Sequence, residues 1–336
     1  MTTGMNVAIA GATGAVGAEL IRLLQEREFP VRQLKFLASP KSAGKSLEFK
    51  GERLQVELLS ENSFRGVDLA LFSAGAGTSR RFARSAVEAG AVVVDNSSAF
   101  RMDQEVPLVI PEINSGDAQS HQGIIANPNC TTIIALMAIF PLHREFRLRR
   151  VVASSYQAVS GAGARAINEL ALQANALLRG EKSQSEIFPH PIAFNVLPQV
   201  DVFTETGYTK EEMKFVNESR KIMHHPSLRA SITCVRVPVF RAHSVAIHAE
   251  FERPVSVEEA RKVLARFPGL EVVDNANAGQ YPMPLNCAGK NNCQVGRIRV
   301  DSAFDNGLAF WVCGDQLLKG AALNALQIAE SLGPKI

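Results

Sequence analysis

The sequence predicts an α/β fold: a Rossmann-type doubly wound parallel sheet, followed by a second, mixed-sheet α+β region. Three observations carry this expectation. Short apolar runs alternate with amphipathic stretches through the first third of the chain, as buried parallel strands and their crossover helices do. A glycine-rich turn lies between the first such run and the first amphipathic stretch. Beyond Cys130 the apolar segments alternate more like half-buried strands and helical stretches become sparser. At 336 residues the chain is also too long for one comfortable core, which favours two domains.

In chain order, Asn6-Val7-Ala8-Ile9-Ala10 reads as a buried strand, Gly11-Ala12-Thr13-Gly14-Ala15-Val16-Gly17 as a turn, and residues 18–24 as a helix. The spacing is GxxGxxG. Its placement between strand and helix makes it a candidate dinucleotide turn, where glycines let pyrophosphate approach a helix N-terminus; the competing reading is a structural turn. Residues 33–38 form the next expected strand. No acid follows it to hold ribose hydroxyls; Ser39-Pro40-Lys41-Ser42 stands there, and two hydroxyls with a lysine suit a 2′-phosphate. A solvated polar loop is the plainer alternative. Strands at 67–72 and 91–95 flank a second edge loop beginning at Ser73 and a helix ending near 89. Arg101, on the loop after Asp95, is placed to clamp an anion if it is not merely solvated.

Composition narrows the function classes. Hydrophobic content of 46% and charged content of 21% are ordinary for a globular protein. A formal charge of +3 gives no argument for nucleic acid, and no apolar stretch reaches the roughly 18 residues of a membrane span. No secretory leader pattern is seen, and the five cysteines are unpatterned, which argues for a reducing, cytoplasmic setting and against a zinc site.

The chemistry is expected at Asn127-Pro128-Asn129-Cys130-Thr131-Thr132. Pro128 disfavours helix at Asn127, Asn129 suits an N-cap, and the apolar run 133–140 follows, so a helix should begin at or beside Cys130. A thiol at that end faces free N–H groups and the positive pole of the helix, which favour thiolate. Taken alone, the cysteine reads rather as a buried structural residue, the usual fate of this residue type. Residues 151–158 read as a strand, Ser160-Gly161-Ala162-Gly163 as a turn and 164 to about 178 as a helix. Thr209 and Glu212 fit a capping box, leaving Glu211 and Lys214 as either site residues or a surface ion pair. Arg236 and His243 would face opposite ways on one unbroken strand; Pro238 between them predicts a break. A stretch from 317 to about 331 reads as a terminal helix with one apolar stripe.

These segments together resemble the aspartate-β-semialdehyde dehydrogenase family. The shared signatures are the glycine loop, the run from Asp95 to Arg101, the run from Asn127 to Thr132 and that from Tyr156 to Gly163. Val235-Arg236-Val237-Pro238, Arg241-Ala242-His243-Ser244 and Lys319-Gly320-Ala321-Ala322-Leu323-Asn324 complete them. The resemblance implies a reversible, NADP-dependent conversion between L-aspartate-4-semialdehyde and 4-aspartyl phosphate, on the route to lysine, threonine and methionine. It makes Cys130 the nucleophile, Gln157 the group orienting substrate and His243 the acid/base. Arg236 would pair with the substrate carboxylate. Glu211 and Lys214 would serve the amino group and the phosphate side, and Arg101 and Asn129 would hold phosphate. Nucleotide contacts would fall on Gly11, Thr13, Gly14, Ala15, Val16, Gly17, Ser39, Lys41, Ser42, Ser73, Ser160, Gly161 and Gln316. It also implies a nucleotide domain of residues 1–128 with 317–336, a catalytic and dimer-forming domain of 129–316, and a homodimer or tetramer with no nucleic-acid or membrane partner. Two departures stand out: Gln316 where the family commonly has asparagine, and Lys41 where arginine is frequent. The alternatives are a non-catalytic paralogue and another acyl-phosphate reductase.

Overall fold

In the computed structural model, residues 4–333 are described. The chain divides into two compact units, Met1–Asn129 with Ala321–Ile336, and Cys130–Gly320.

The first unit begins with β1 (Met5–Ala10), α1 (Ala15–Glu26), β2 (Val31–Ala38), β3 (Ser46–Phe49) and β4 (Glu52–Leu58). It continues with β5 (Leu69–Phe72), α2 (Ala76–Glu88), β6 (Val92–Asp95), the single turn α3 (Pro111–Asn114) and β7 (Ile124–Ala126). These strands form one sheet in the order β3-β4-β2-β1-β5-β6-β7, parallel throughout except for the β3–β4 hairpin. The short apolar runs have become the fully buried strands: Val7 to Ala10 and Leu69 to Phe72 have no meaningful exposure. Helix α1 turns Leu20, Ile21, Leu23 and Leu24 inward, the i, i+3, i+4 stripe of a helix laid on a sheet.

The second unit opens with α4 (Cys130–Phe146), followed by β8 (Leu148–Gln157), α5 (Ala164–Leu178), α6 (Lys210–Ile222) and β9 (Arg229–Arg236). Next come β10 (His243–Phe251), α7 (Val257–Ala265), β11 (Leu270–Val272), α8 (Pro284–Cys287), β12 (Cys293–Val300) and β13 (Gly307–Gly314). Its sheet runs β11-β12-β13-β10-β8-β9 and is mixed: β8–β9 and β11–β12 are parallel, the other pairs antiparallel. Helix α4 is buried nearly all round, which is why its sequence is apolar without a polar face, and it packs on β8, β10 and β13.

The chain ends with α9 (Leu323–Leu332), which packs on α1; Arg27 closes that contact with a two-pronged pair to Glu330 at 2.7 Å on each arm. The expected single helix from residue 317 is not what forms. Residues 318–322 make a wide π-type turn first, and the α-helix starts only at Leu323. Asp315 caps the start of this turn, its buried carboxylate accepting from the N–H groups of Leu317 and Leu318 and from that of Gly289. Gly320 then passes so close to Cys130 that an added Cβ would lie 2.9 Å from the cysteine Cβ.

Candidate active site

In the first unit, the glycine turn lets β1, α1 and the Ser73 loop approach closely. Gly11 sits at φ 91°, and a Cβ there would meet the Ser73 carbonyl oxygen at 2.4 Å. At Gly17 a Cβ would meet the Gly11 oxygen at 2.4 Å, so this glycine is what allows α1 to pack down on the loop. Gly14 caps α1 without any side-chain acceptor, so no side chain there covers the N–H groups of the first turn, to which Ala15 and Val16 belong. Beside this end lies a cavity of about 520 Å³ walled by Gly11, Thr13, Gly14, Ser39, Ser73 and others. Lys41 and Ser42 continue on the loop beyond it, with Lys41 exposed. Thr78 and Arg81 of α2 are also in the wall, and sequence reasoning missed both because a polar helix face carries no periodic signal of its own.

Arg101 is not a solvated loop residue. It is buried, donating from Nε to the Asn127 carbonyl (2.9 Å) and from Nη2 to the Asn96 carbonyl (2.8 Å). Asn324 of α9 donates to Asn127 Oδ1 at 2.7 Å and so steadies the same loop. Asp95, fully buried, anchors the loop's start through Ser79 and Ser97, and Asn129 ends it, also buried.

In the second unit, the register brings three expected residues to one end of the sheet. Gln157 is the last residue of β8 and pairs with Arg236, the last of β9; His243 is the first of β10. The break expected at Pro238 is present: residues 237–242 leave the sheet and pair with the turn at 158–163, Val159 N–H donating to Val239 O and Ser160 N–H to Phe240 O. Gly161 is where Arg236 and His243 meet. A Cβ there would lie 3.0 Å from Arg236 Nη1 and 3.2 Å from both Cε1 and Nε2 of His243.

Ala158, a residue no side-chain motif could flag, orients both groups with its backbone. Its N–H donates to His243 Nδ1 (3.0 Å), and its carbonyl accepts from Arg236 Nη1 (2.7 Å). Nδ1 is therefore an acceptor, and the proton of the neutral ring sits on Nε2, which has no hydrogen-bond partner among the described residues. Burial, then the neighbouring Arg236 charge, pushes the His243 pKa well below the usual imidazole range. In this arrangement the ring is neutral and presents Nε2–H as a donor. Burial likewise lowers the Arg236 pKa, against the opposing pull of Glu211 and of Cys130, which puts Cys130 in the same electrostatic neighbourhood. The Arg236 guanidinium also lies 5.7 Å from the Phe188 ring centre.

Cys130 is the first residue of α4 and is half-buried, whereas the other four cysteines are buried. The capping box is present, Glu212 bonding the Thr209 N–H (2.6 Å) and, across to β9, the Cys234 N–H (2.9 Å). That leaves Glu211 facing the site, where it accepts from Gln157 Nε2 (3.1 Å) and pairs with Lys214 (3.0 Å). Lys214 is also held by Asp201 at 2.9 Å, a partner the sequence did not suggest. Gln316 joins the two turns: its Oε1 accepts from Ala242 N–H (2.8 Å) and its Nε2 donates to Ser160 Oγ. Ala242 is at φ 73°, so the glutamine holds a left-handed kink directly before His243.

Family models agree with these two units. One described as "semialdehyde dehydrogenase, NAD binding domain" matches residues 6–121, and one described as "semialdehyde dehydrogenase, dimerisation domain" matches 139–319. The aspartate-semialdehyde dehydrogenase of Synechocystis is 53% identical over 99% of this chain and 98% of its own. The chain belongs to the aspartate-semialdehyde dehydrogenase family. The Aquifex aeolicus member is 52% identical over 98% of each chain. A crystal structure of aspartate semialdehyde dehydrogenase II from Vibrio cholerae, described as complexed with ASA, matches with a TM-score of 0.95 and 44% identity over 98% of each chain.

Proposed function

We propose that this chain is a phosphorylating aspartate-semialdehyde dehydrogenase that works with NADP through a thioester on Cys130. The observation that carries the reading is the convergence of Gln157, Arg236 and His243 at one sheet end, within the electrostatic reach of Cys130. The nucleotide fits the first unit: the cavity beside the uncapped α1 terminus has room and N–H donors for a pyrophosphate. Ser39 and Arg81 in its wall, with Lys41 close in sequence, supply hydroxyl and positive charge for a 2′-phosphate, which favours NADP over NAD. When bound, NADP would supply the acceptor for the two electrons of aldehyde oxidation.

The protein's own residues account for the rest. Cys130, at the positive end of α4, would add as thiolate to the aldehyde carbon, forming the C–S bond. The carbonyl oxygen becomes an alkoxide, and the His243 Nε2–H is the donor available to stabilise it. After oxidation to the thioester, phosphate oxygen attacks the same carbon, the C–S bond breaks and Cys130 leaves as thiolate. Arg236 would hold the substrate carboxylate and Glu211 its ammonium, while Lys214, Arg101 and Asn129 would serve phosphate. Gln157, fixed between Ser155 and Glu211, would orient the carbonyl. The product would enter lysine, threonine and methionine synthesis.

Assembly into a homodimer is part of the proposal. The sheet face opposite α4 exposes Val152 (46%) and Tyr156 (39%), Tyr156 lying against Trp311. Among the described residues no helix is long and apolar enough to cross a membrane. The functional test is NADPH formation from aspartate semialdehyde. Strict dependence on phosphate or arsenate is expected; phosphate-independent turnover, or none, would contradict the reading.

A further inference from the structure

Lys214 lies between two carboxylates, Asp201 Oδ2 at 2.9 Å and Glu211 Oε2 at 3.0 Å. Glu211 in turn accepts from Gln157, so an unbroken polar line runs from Asp201 through Lys214 and Glu211 to the site. The trio carries two negative charges and one positive. Arg236 and Lys210 also act on this cluster, Arg236 through Glu211 and Lys210 through Asp201; within it, Asp201 takes up part of the Lys214 charge, so that Glu211 is offset less beside Gln157 than in a lone Lys214–Glu211 pair. Burial opposes the Lys214 ammonium, yet Glu211 and Asp201 together hold its pKa above the usual lysine range, so the lysine stays charged. Asp201 is pre-set for this task. It sits at φ 69°, and its Oδ1 accepts from Val202 N–H at 2.8 Å, which aims Oδ2 at the lysine.

We propose that Asp201 is a positioning residue for substrate choice: by sharing Lys214 it keeps Glu211 negative toward the substrate's α-ammonium group, so the site selects an amino-acid semialdehyde over one lacking that amine. The inference rests on the proposed semialdehyde chemistry and deepens it. It also assigns Lys214 a dual part, since a lysine held by two carboxylates meets an incoming phosphate with its charge partly offset.

Asp201→Asn removes the charge and, with Oδ1 kept for the Val202 N–H, also turns a donor instead of an acceptor toward Lys214, so it cuts the Asp201–Lys214 link as a whole. Asparagine tolerates a positive φ, keeps the Oδ1 acceptor for Val202 and has the same shape, so the fold is retained. The readout is kcat/KM for aspartate semialdehyde divided by that for succinate semialdehyde, which has the same carbon skeleton without the ammonium. The variant should lower this ratio about five- to tenfold, the effect of one unit charge acting through an intermediate dielectric. It should act mainly through KM for the amino-acid substrate while lowering KM for phosphate. An unchanged ratio, or equal damage to both aldehydes together with a raised phosphate KM, would overturn the proposal and leave Asp201 a structural residue. A wild-type protein that oxidises neither aldehyde would overturn the proposed function itself, a different result from an active enzyme whose discrimination ignores Asp201.

Discussion

His243 shows how a residue's surroundings decide its chemistry. The ring is fully buried, bonded at Nδ1 by a main-chain amide and flanked by a guanidinium, so its neutral form is the native one. That has a consequence for stability. A group whose folded pKa lies below its unfolded value binds more protons when unfolded, so its contribution is intact above pH 6.5 and is lost as pH falls below that value. Each pH unit in that window should cost up to about 1.4 kcal/mol for one such histidine. His121 and His143 are shifted the same way by burial and add to the slope. Replacing His243 with Gln should therefore flatten, by one proton's share, the fall in chemical-denaturation stability between pH 6.5 and 5. An unchanged slope would mean that the ring is protonated in the folded state.

At the scale of elements, legibility followed the range of the forces involved. The strand–turn–helix start, the helix beginning at Cys130 and the Thr209–Glu212 box are set by near neighbours, and all could be read from the sequence. The break at Pro238 was readable as well, because proline cannot donate to a ladder. What it achieves was not. The pairing of the 237–242 and 158–163 turns, and the double use of the Ala158 backbone, depend on contacts some 80 residues apart, the Ala158–His243 separation being 85. Asp201 was invisible because its partner Lys214 lies 13 residues on, beyond any helical or strand spacing, and a buried capping aspartate such as Asp315 reads as polar surface. The second sheet's open face carries its own prediction. Val152→Lys would place an ammonium in both halves of a symmetric interface, and an unpaired buried charge costs several kcal/mol. If the proposed dimer uses this face, sedimentation should find dimers of the unaltered protein and single chains of the variant; an undisturbed dimer would show that this face is free.

For the whole molecule, two folding units carry one division of labour. In the proposed function the first would hold the nucleotide at its glycine turn and the α1 N-terminus and would offer Arg101 to phosphate. The second supplies a thiol, a neutral imidazole, a buried guanidinium and a carboxylate paired through lysine. The account stands on the covalent step that joins these roles, and that step can be isolated by withholding phosphate. Wild-type protein given NADP and aspartate semialdehyde without phosphate, then quenched in acid and mapped by peptide mass spectrometry, should carry an acyl group on Cys130 alone. One equivalent of NADPH should form per site, and added phosphate should discharge the adduct. Cys130→Ser should give neither adduct nor NADPH. An acyl group on another residue, or turnover with Cys130 unmodified and replaceable, would contradict the account.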